Sequence, residues 1–323
     1  MPLPRVIATR RLPEPVEQEL ARDFDAALNT DDHQFSEAEL QDALRDADGL
    51  LCTVTDRLTA VVLAREPRRC RILANFGVGY NHIDMTEAGR RGLVVSNTPG
   101  VLTEATADLA MTLMLMAARR AGEGEREVRA GRWTSWGPTH LMGADVSGQT
   151  LGIIGLGRIG RAVARRAHAG FGMKVLSYTP HPIPAAEAAQ LGVAQLSSIQ
   201  GVLGESDFVS LHCPASPATY HLIHAERLRL MKPSAFLINT ARGDIVDDRD
   251  LVRALDEKWI AGAGLDVYEH EPRVPADLLG RENVVLLPHL GSATWSTRVA
   301  MGLKAVGNLR AFFREGKAPD QVG

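Results

Sequence analysis

The chain has 323 residues, of which 45% are hydrophobic and 23% are charged, a balance typical of globular proteins large enough for two cores. Its 36 basic and 39 acidic residues give a formal net charge of −3, with no block of like charges that could follow a nucleic-acid backbone or an anionic membrane. The longest apolar run, residues 109–118, is much shorter than the roughly 20 residues that span a bilayer. These features exclude disorder, and we expect a cytoplasmic protein with neither nucleic-acid nor membrane partners.

The three cysteines, Cys52, Cys70 and Cys213, lie in apolar segments that resemble strands. They are odd in number and lack the C-x-x-C spacing of zinc and redox sites. We therefore expect reduced cysteines in the core, and we expect neither a disulfide framework nor a bound metal.

In the first third of the chain, short runs rich in Val, Ile and Leu alternate with segments of helical period. This alternation predicts βα units and a mainly parallel sheet. The predicted strands are residues 5–9, 24–28, 49–53, 71–76 and 93–96, and helices are predicted at 15–22 and 36–44. These elements predict one small doubly wound domain.

A second series of strands begins after a long predicted helix at about residues 102–120 and a passage rich in glycine that we interpret as loops. Six strands are predicted, at residues 150–154, 174–178, 208–212, 235–239, 262–266 and 284–287, followed by a last helix at 296–313. Six is the number expected for a dinucleotide-binding sheet. The predicted fold class is therefore α/β, with two doubly wound parallel-sheet domains.

A GxGxxG motif, Gly155-Leu156-Gly157-Arg158-Ile159-Gly160, follows the apolar strand at 150–154 and opens a helix predicted at 161–171. Gly155 permits a tight turn, Gly157 lets the backbone approach a pyrophosphate, and Gly160 lets the helix pack closely on the strand. The N–H groups and dipole of the helix would then face the phosphates. The motif in this context predicts a dinucleotide site.

The candidate catalytic residues follow three later strands of the second series. Reduction of a carbonyl by hydride needs a proton donor beside the oxygen and a cation that orients a substrate carboxylate. Arg242 and His289 each follow a predicted strand, and an acidic residue, either Glu269 or Glu271, follows the strand between them. A carboxylate beside an imidazole favours its protonated form, so the set can act as an acid and its partner. His212 also ends a strand, where we expect it to position backbone or lie at the edge of a cofactor.

Seven blocks of this sequence resemble the D-isomer-specific 2-hydroxyacid dehydrogenases over essentially the whole chain, and within that family the glyoxylate and hydroxypyruvate reductases. The blocks are residues 75–84, 97–108, 155–160, 211–214, 239–243, 264–272 and 288–294. The resemblance implies that Arg242 binds substrate, that Glu271 rather than Glu269 pairs with the histidine, and that His289 is the catalytic acid/base. It also implies that backbone N–H groups of Val78 and Gly79 bind the substrate carboxylate.

The resemblance implies a cofactor site as well, in which Asp266 receives the nicotinamide carboxamide. The cofactor-binding residues expected on these grounds are Thr106, Gly155, Gly157, Arg158, Ile159, Gly160, Thr179, His181, His212, Pro214, Thr219, Thr240, Ala241, Asp266, His289 and Gly291. No metal is expected.

The family architecture implies a flavodoxin-like substrate domain at residues 1–100 that is completed by residues 290–323, and a Rossmann domain at 101–289, with the active site in the cleft between them. It also implies a homodimer formed through the cofactor domain, with the helix around 109–116 at the contact. Trp136 lies in a segment that resembles a loop covering the active site of the neighbouring subunit, where it would favour short substrates. The alternative is a tryptophan buried at the dimer contact without access to substrate.

The function expected from these features is NAD(P)H-dependent reduction of glyoxylate and hydroxypyruvate. The alternatives are a dehydrogenase of another D-2-hydroxy acid and a dinucleotide-sensing, corepressor-like binding protein on the same fold. Thr179 stands where NAD-specific sheets place an acidic residue that would repel a 2′-phosphate, and His181 and Arg158 could add positive charge nearby. We therefore expect NADP(H) to be favoured, with use of NAD(H) as the alternative.

Overall fold

A computed structural model describes residues 2–323. The chain divides into two compact units, one formed by the described residues up to Leu102 together with Ser292–Gly323, and the other by Thr103–Gly291. The chain therefore leaves the first unit once and returns to it once. No helix within residues 2–323 is long and apolar enough to cross a membrane.

The first unit begins with alternating strands and helices. In chain order they are β1 (Arg5–Ala8), α1 (Glu14–Asp23), β2 (Asp25–Ala27), α2 (Glu37–Asp46), β3 (Gly49–Thr53), α3 (Ala60–Leu63), β4 (Ile72–Phe76), α4 (Met85–Arg90) and β5 (Val94–Ser96). Ser36 and Glu39 form a capping box that fixes the start of α2. All five residues of β4 are buried, as expected for a central parallel strand covered on both faces.

The second unit contains a long entry helix, a short amphipathic helix and a larger sheet. Its elements are α5 (Thr103–Ala118), α6 (Ala121–Arg129), β6 (Thr150–Ile154), α7 (Arg158–Phe171), β7 (Lys174–Tyr178), α8 (Ala185–Gln190), β8 (Val193–Gln195), α9 (Ile199–Glu205), β9 (Phe208–Leu211), α10 (Ala225–Leu228), β10 (Phe236–Asn239), α11 (Asp248–Asp256), β11 (Gly262–Leu265), α12 (Ala276–Leu279) and β12 (Val284–Leu286). The strands are all parallel in the order β12-β11-β10-β9-β6-β7-β8. The chain order reverses at β6, where the end of the strand opens into the crevice that binds ligands in such sheets.

The returning segment completes the first unit with α13 (Trp295–Glu315) and β13 (Gln321–Val322). Helix α13 packs on β4, β3 and α1. The sheet of this unit has the order β13-β5-β4-β3-β1-β2, in which only β13 is antiparallel to its neighbour. The order of the five parallel strands is that of flavodoxin-like sheets.

Helix α5 packs one broad apolar face inside its own unit. It contacts α7, β10, β11 and β12, and its buried residues include Ala110, Leu113 and Met114. Asp108 and Thr112 on its other side are exposed. Contacts within one chain therefore cover most of its apolar residues but not its whole surface.

Four sequence predictions about these elements were wrong in detail. The second sheet has a seventh strand, β8, whose three residues include the polar Gln195 and are too short for a hydrophobic pattern. The passage after residue 120 contains α6 despite Gly122 and Gly124. That helix buries no residue, and a Glu125–Arg129 ion pair lies along it.

The other two differences are the start of α7 and a strand that the sequence did not predict. Helix α7 begins at Arg158 and not at Arg161, because Gly157 serves as its N-cap. Strand β13 was not predicted, since a two-residue strand carries no periodicity and forms only where β5 offers a free edge.

Candidate active site

The site residues predicted in the second unit converge on one edge of its sheet. Every strand is parallel, so the carboxyl ends all lie at that edge. Gly155 follows β6, Thr179 and His181 follow β7, His212, Pro214 and Thr219 follow β9, Thr240, Ala241 and Arg242 follow β10, Asp266 and Glu271 follow β11, and His289 and Gly291 follow β12. Residues separated by more than 130 positions in the sequence thus share one edge of the sheet.

The glycine turn after β6 has the geometry of a phosphate cradle. Gly155 has φ of 95°, and a Cβ there would lie 2.6 Å from the backbone nitrogen of Cys213. A Cβ at Gly160 would lie 2.3 Å from the carbonyl oxygen of Gly155, so the helix could not start so close to the strand. At Gly157, in contrast, no atom lies within 4 Å of such a Cβ. Two glycines are therefore required by the fold, and the third leaves space beside the backbone.

The N-terminus of α7 faces this space without a side-chain cap. Within residues 2–323, the backbone N–H groups of Arg158, Ile159 and Gly160 have no acceptor. Helix α7 is 14 residues long, so its dipole adds partial positive charge at this end. Unfilled donors, positive potential and open space are what a dinucleotide pyrophosphate needs, so the residues fit the group.

The end of β7 carries no carboxylate that would exclude a 2′-phosphate. Thr179 directly follows the strand, and His181 and Arg158 are both exposed. The Arg158 side chain makes no ion pair or hydrogen bond to any residue from 2 to 323. The neighbouring Arg161 is paired with Glu187, with 3.1 Å between Nε and Oε1. Arg158 is therefore the guanidinium at this turn that is available to an anion.

The loop after β9 is fixed by short polar contacts. His212 Nε2 lies 2.8 Å from Ser210 Oγ, and burial lowers the pKa of the imidazole to about 4, so the ring is neutral at pH 7. The Thr219 hydroxyl donates to the Pro214 carbonyl at 2.7 Å and accepts from the Ser216 backbone N–H at 2.8 Å. At the end of the next strand, the Thr240 hydroxyl is buried and has no hydrogen-bond partner among the described residues.

His289 and Glu271 form a direct pair. His289 Nδ1 lies 2.8 Å from Glu271 Oε2, and both side chains are about one-third exposed. The other carboxylate oxygen accepts the Tyr268 backbone N–H at 3.0 Å. Burial acts to raise the pKa of Glu271, but the hydrogen bond and charge of His289, the Tyr268 N–H and the charge of Arg242 together outweigh it and hold that pKa below its usual range. The carboxylate is therefore ionised at neutral pH, and its partner nitrogen on the imidazole is a donor.

Glu269, which the residue pattern left as an equal candidate, lies in a different pair. Its Oε1 is 3.0 Å from His221 Nε2 and 3.1 Å from the Tyr220 hydroxyl. The other nitrogen of His221 is 3.1 Å from Asp247 at the N-cap of α11. Geometry therefore places Glu271, and not Glu269, on His289.

Arg242 is held in place by the residues that precede it. The Asn239 side chain donates to the Arg242 carbonyl at 2.8 Å and accepts the Ala241 N–H at 3.0 Å. The guanidinium donates to the Ala241 carbonyl at 2.7 Å. Burial lowers the pKa of Arg242 from its usual value, while the negative charge of Glu271 acts in the opposite direction. A largely desolvated cation therefore lies close to the Glu271–His289 pair.

Asp266 holds the turn that presents His289, a role that the sequence did not reveal. His289 has φ of 54°, a left-handed conformation that costs energy for a residue with a side chain. The Asp266 carbonyl accepts the His289 N–H at 2.9 Å, and its carboxylate accepts the N–H groups of Leu290 and Gly291 at 2.6 and 2.8 Å. Burial raises the pKa of this fully buried carboxyl, and those N–H groups act against the shift.

Two further predicted residues lie against this turn. A Cβ at Gly291 would lie 3.3 Å from the Asp266 carboxylate and 3.5 Å from the side chain of Thr106, which is itself buried. The turn is thus packed between α5 and the loop after β11.

The loops that carry Arg242, Glu271 and His289 are also joined to one another by residues that the sequence analysis missed. A Cβ at Gly243 would lie 1.8 Å from the carbonyl carbon of Tyr268, so these two backbones are in contact. The Tyr268 hydroxyl donates to the Leu287 carbonyl at 2.9 Å, two residues before His289. No local pattern signals these contacts, because each joins segments that are distant in sequence.

Three predicted residues do not follow a strand of this sheet. Val78 and Gly79 follow β4 in the first unit, and their backbone N–H groups have no acceptor within residues 2–323. Trp136 lies in the irregular segment after α6 and is 79% exposed, and Trp133 nearby is 54% exposed.

Comparison with known proteins identifies the family. Residues 111–291 match the model of the D-isomer specific 2-hydroxyacid dehydrogenase NAD-binding domain. The chain is 47% identical to a glyoxylate reductase of Korarchaeum cryptofilum and 45% identical to one of Thermococcus onnurineus. These alignments cover 99% and 98% of this chain and 96% and 94% of the relatives. The chain belongs to the D-isomer specific 2-hydroxyacid dehydrogenase family. The resemblance and the α/β fold class inferred from the sequence are thereby confirmed.

Solved structures of this dehydrogenase family agree. An NADPH-dependent glyoxylate/hydroxypyruvate reductase from Sinorhizobium meliloti, solved with NADP and malonate, superposes with a TM-score of 0.88 at 37% identity. The match covers 99% of this dehydrogenase and 97% of the relative.

Asp266→Asn is expected to lower the free energy of unfolding by about 1–3 kcal/mol and to lower kcat, because an amide cannot accept both N–H groups of the His289 turn. The measurement is urea denaturation together with steady-state kinetics. Asp256→Asn is the matched control, since that carboxylate pairs with Arg281 at the surface and such pairs contribute little. Equal stability of the two variants would contradict the structural role of Asp266.

Proposed function

We propose that this dehydrogenase reduces small 2-oxo acids, with glyoxylate and hydroxypyruvate as favoured substrates and NADPH as the favoured hydride donor. The observation that carries the proposal is the 2.8 Å His289–Glu271 contact, which lies on the same sheet edge as the glycine turn and Arg242. The glyoxylate reductases to which the chain is similar support the choice of substrate.

The proposed chemistry assigns one task to each residue. When bound, the reduced nicotinamide supplies a hydride to C2 of the oxo acid. Because Nδ1 of His289 is engaged by Glu271, its Nε2–H donates the proton to the carbonyl oxygen, and the Glu271 carboxylate stabilises the imidazolium. Arg242 binds the oxo acid and polarises its carbonyl.

Other residues of the proposal bind and orient. The unpaired N–H groups of Val78 and Gly79 donate to the substrate carboxylate. The helix donors of Arg158, Ile159 and Gly160 hold the pyrophosphate, with Gly155 and Gly157 shaping the cradle. Each carboxylate oxygen of Asp266 keeps a second lone pair, which is available to the nicotinamide carboxamide.

The remaining predicted contacts with the dinucleotide belong to the proposal as well. They are Thr106, Thr179, His181, His212, Pro214, Thr219, Thr240, Ala241 and Gly291.

The experiment that tests the function is NADPH and NADH oxidation with a panel of 2-oxo acids of increasing length. Tight NADPH binding without turnover of any of them would instead favour the corepressor-like alternative.

His289→Ala is expected to lower kcat by on the order of 100- to 10,000-fold while leaving the affinity for NADPH nearly unchanged, because proton donation occurs only in the transition state. Steady-state kinetics with glyoxylate and a separate NADPH titration measure the two quantities. His140→Ala, which changes an exposed histidine paired with Glu127, should behave as wild type. A loss of tenfold or less in His289→Ala would refute the assignment.

Glu271→Gln is expected to lower kcat for glyoxylate by about tenfold or more, because an amide carries no negative charge to stabilise the imidazolium that donates the proton. Steady-state kinetics measure this loss. Glu269→Gln, which alters the neighbouring acid paired with His221, should leave kcat nearly unchanged. The opposite result for the two variants would reverse the pairing.

The preference for NADPH rests on Thr179 and on the unpaired Arg158 guanidinium. Thr179→Asp is expected to move the ratio of kcat/KM for NADPH over NADH towards NADH by about tenfold or more, because a carboxylate repels the 2′-phosphate and accepts the ribose hydroxyls. Arg158→Gln should lower the NADPH value alone. A wild-type enzyme that already prefers NADH by tenfold would overturn the preference.

We also propose that the protein is a homodimer in which Trp136 covers the active site of the other subunit. The segment around it exposes four large apolar side chains, Val128, Trp133, Trp136 and Met142, with exposed fractions from 54% to 79%. A second copy of the chain would bury this apolar surface.

Trp136→Ala is expected to lower the preference for glyoxylate over longer 2-oxo acids by about tenfold, because the indole would no longer exclude extra methylene groups. The kcat/KM ratio measures this, and sedimentation measures the dimer in parallel. Trp133→Ala is the matched control. An unchanged ratio with a weakened dimer would place Trp136 in the interface and not over the substrate.

A further inference from the structure

The loop after β4 pairs its carbonyl groups and leaves the N–H groups of Val78 and Gly79 without an acceptor within residues 2–323. The Asn75 amide donates to the carbonyls of Gly77 and Gly79 at 3.1 and 3.0 Å, and the Thr98 N–H donates to Gly77 at 3.0 Å. The Asn97 amide donates to the carbonyl of Val78 at 2.8 Å. All three carbonyls of the loop therefore have a donor.

Each of these bonds also fixes an N–H group, because a carbonyl and the following N–H belong to one planar peptide unit and point in opposite directions. The Gly77 carbonyl shares its plane with the Val78 N–H, and the Val78 carbonyl shares its plane with the Gly79 N–H. Asn97 thus sets the direction of the Gly79 N–H, one of the two donors assigned to the substrate carboxylate.

Asn97 is itself fixed by the segment that returns to the first unit. The Asn97 N–H donates to the Asp320 carbonyl at 3.1 Å, and the Asn97 carbonyl accepts the amide of Asn308 at 3.1 Å. The Asp320 N–H donates to Asn308 Oδ1 at 2.9 Å. Asn97 and Asn308 are 7% and 1% exposed, so water cannot replace a lost partner easily.

We propose that Asn97 is a positioning residue for the substrate carboxylate, and that the segment Asp320–Val322 acts on substrate affinity through it. The inference rests on the proposed role of Val78 and Gly79. Pairing of β13 with Ser96 and Val95 of β5 anchors this segment directly beside Asn97. The affinity for 2-oxo acids therefore depends on residues that follow α13 and make no hydrogen bond with the Gly77–Gly79 loop.

Asn97→Asp tests whether the Asn97 amide positions the loop. The change keeps the side-chain shape and the backbone contacts but replaces the donor to the Val78 carbonyl with an oxygen. The expected result is a rise of about tenfold or more in KM for glyoxylate and in the dissociation constant of oxalate, with kcat and KM for NADPH within about twofold of wild type. Lys304→Gln is the matched control. It removes the 3.3 Å ion pair with the Asp320 carboxylate and leaves the Asn97–Asn308 bonds in place.

Deletion of residues 320–323, in wild type and in Asn97→Asp, tests whether this segment acts on substrate affinity through Asn97. If the segment acts through Asn97, the deletion raises KM for glyoxylate in wild type and adds little in the variant. Equal factors in both backgrounds would show a general weakening of the unit and would overturn the proposal. If Asn97→Asp does not fold, Asp320→Ala and Asp320→Pro provide the comparison. Both remove the carboxylate, and only the proline variant also removes the N–H that donates to Asn308.

The proposed function and the positioning role of Asn97 can be refuted separately. A wild-type protein that reduces no 2-oxo acid would refute the proposed function, and the positioning role with it. A wild-type protein that reduces glyoxylate, with Asn97→Asp and the deletion variant both retaining its KM, would refute only the role of Asn97 and the Asp320–Val322 segment.

Discussion

The parallel direction of all seven strands in the second sheet is the constraint on which the candidate site depends. It places every strand-to-helix connection that begins at a carboxyl end along one edge. Gly155 after β6 and His289 after β12, which are far apart in the chain, therefore lie along the same edge of the sheet. A single antiparallel strand in the middle of this sheet would move its connecting residue to the opposite edge.

Buried polar contacts fix the positions of His289 and Glu271 along that edge. The His289 turn has an unfavourable backbone conformation, and the three hydrogen bonds that its N–H groups donate to the Asp266 carboxylate and carbonyl compensate for it. Tyr268 connects the Glu271 loop to the end of β12 through its N–H and hydroxyl. The geometry between the acid and the imidazole is thus set by neighbours that need not touch a substrate.

Buried polar side chains also fix the backbone of a loop in the first unit. Buried asparagine amides donate to the carbonyls of the Gly77–Gly79 loop, and the N–H groups of Val78 and Gly79 have no acceptor within residues 2–323, like those at the capless N-terminus of α7. In both places the protein satisfies one side of the backbone and leaves donors on the other. Anions are bound by such sets of free, fixed N–H groups.

Sequence reasoning located most elements because hydrophobic periodicity is a local property. It found β3, β6 and β7 at their observed limits, and it missed β8 and β13, which are too short to show a period. It interpreted the residues around Gly122 as loop, since the ion pairs that support α6 lie on the helix surface and are not visible in a hydrophobic pattern. The resemblance placed the apolar helix α5 at a dimer contact. Within one chain, much of this helix packs on α7 and on the sheet.

By itself, the sequence determined the two α/β units, the glycine turn and the set of Arg242, His289 and an acid at strand ends, because each of these is encoded in short stretches of residues. Only the tertiary structure decided that Glu271 meets His289 while Glu269 meets His221, since two positions in one loop differ in direction and not in chemistry. It alone revealed that Asp266 supports the His289 turn and that Asp320 reaches Asn97. Those contacts join segments 24 and more than 200 residues apart, and the path of the backbone between such segments is fixed by packing of the whole unit.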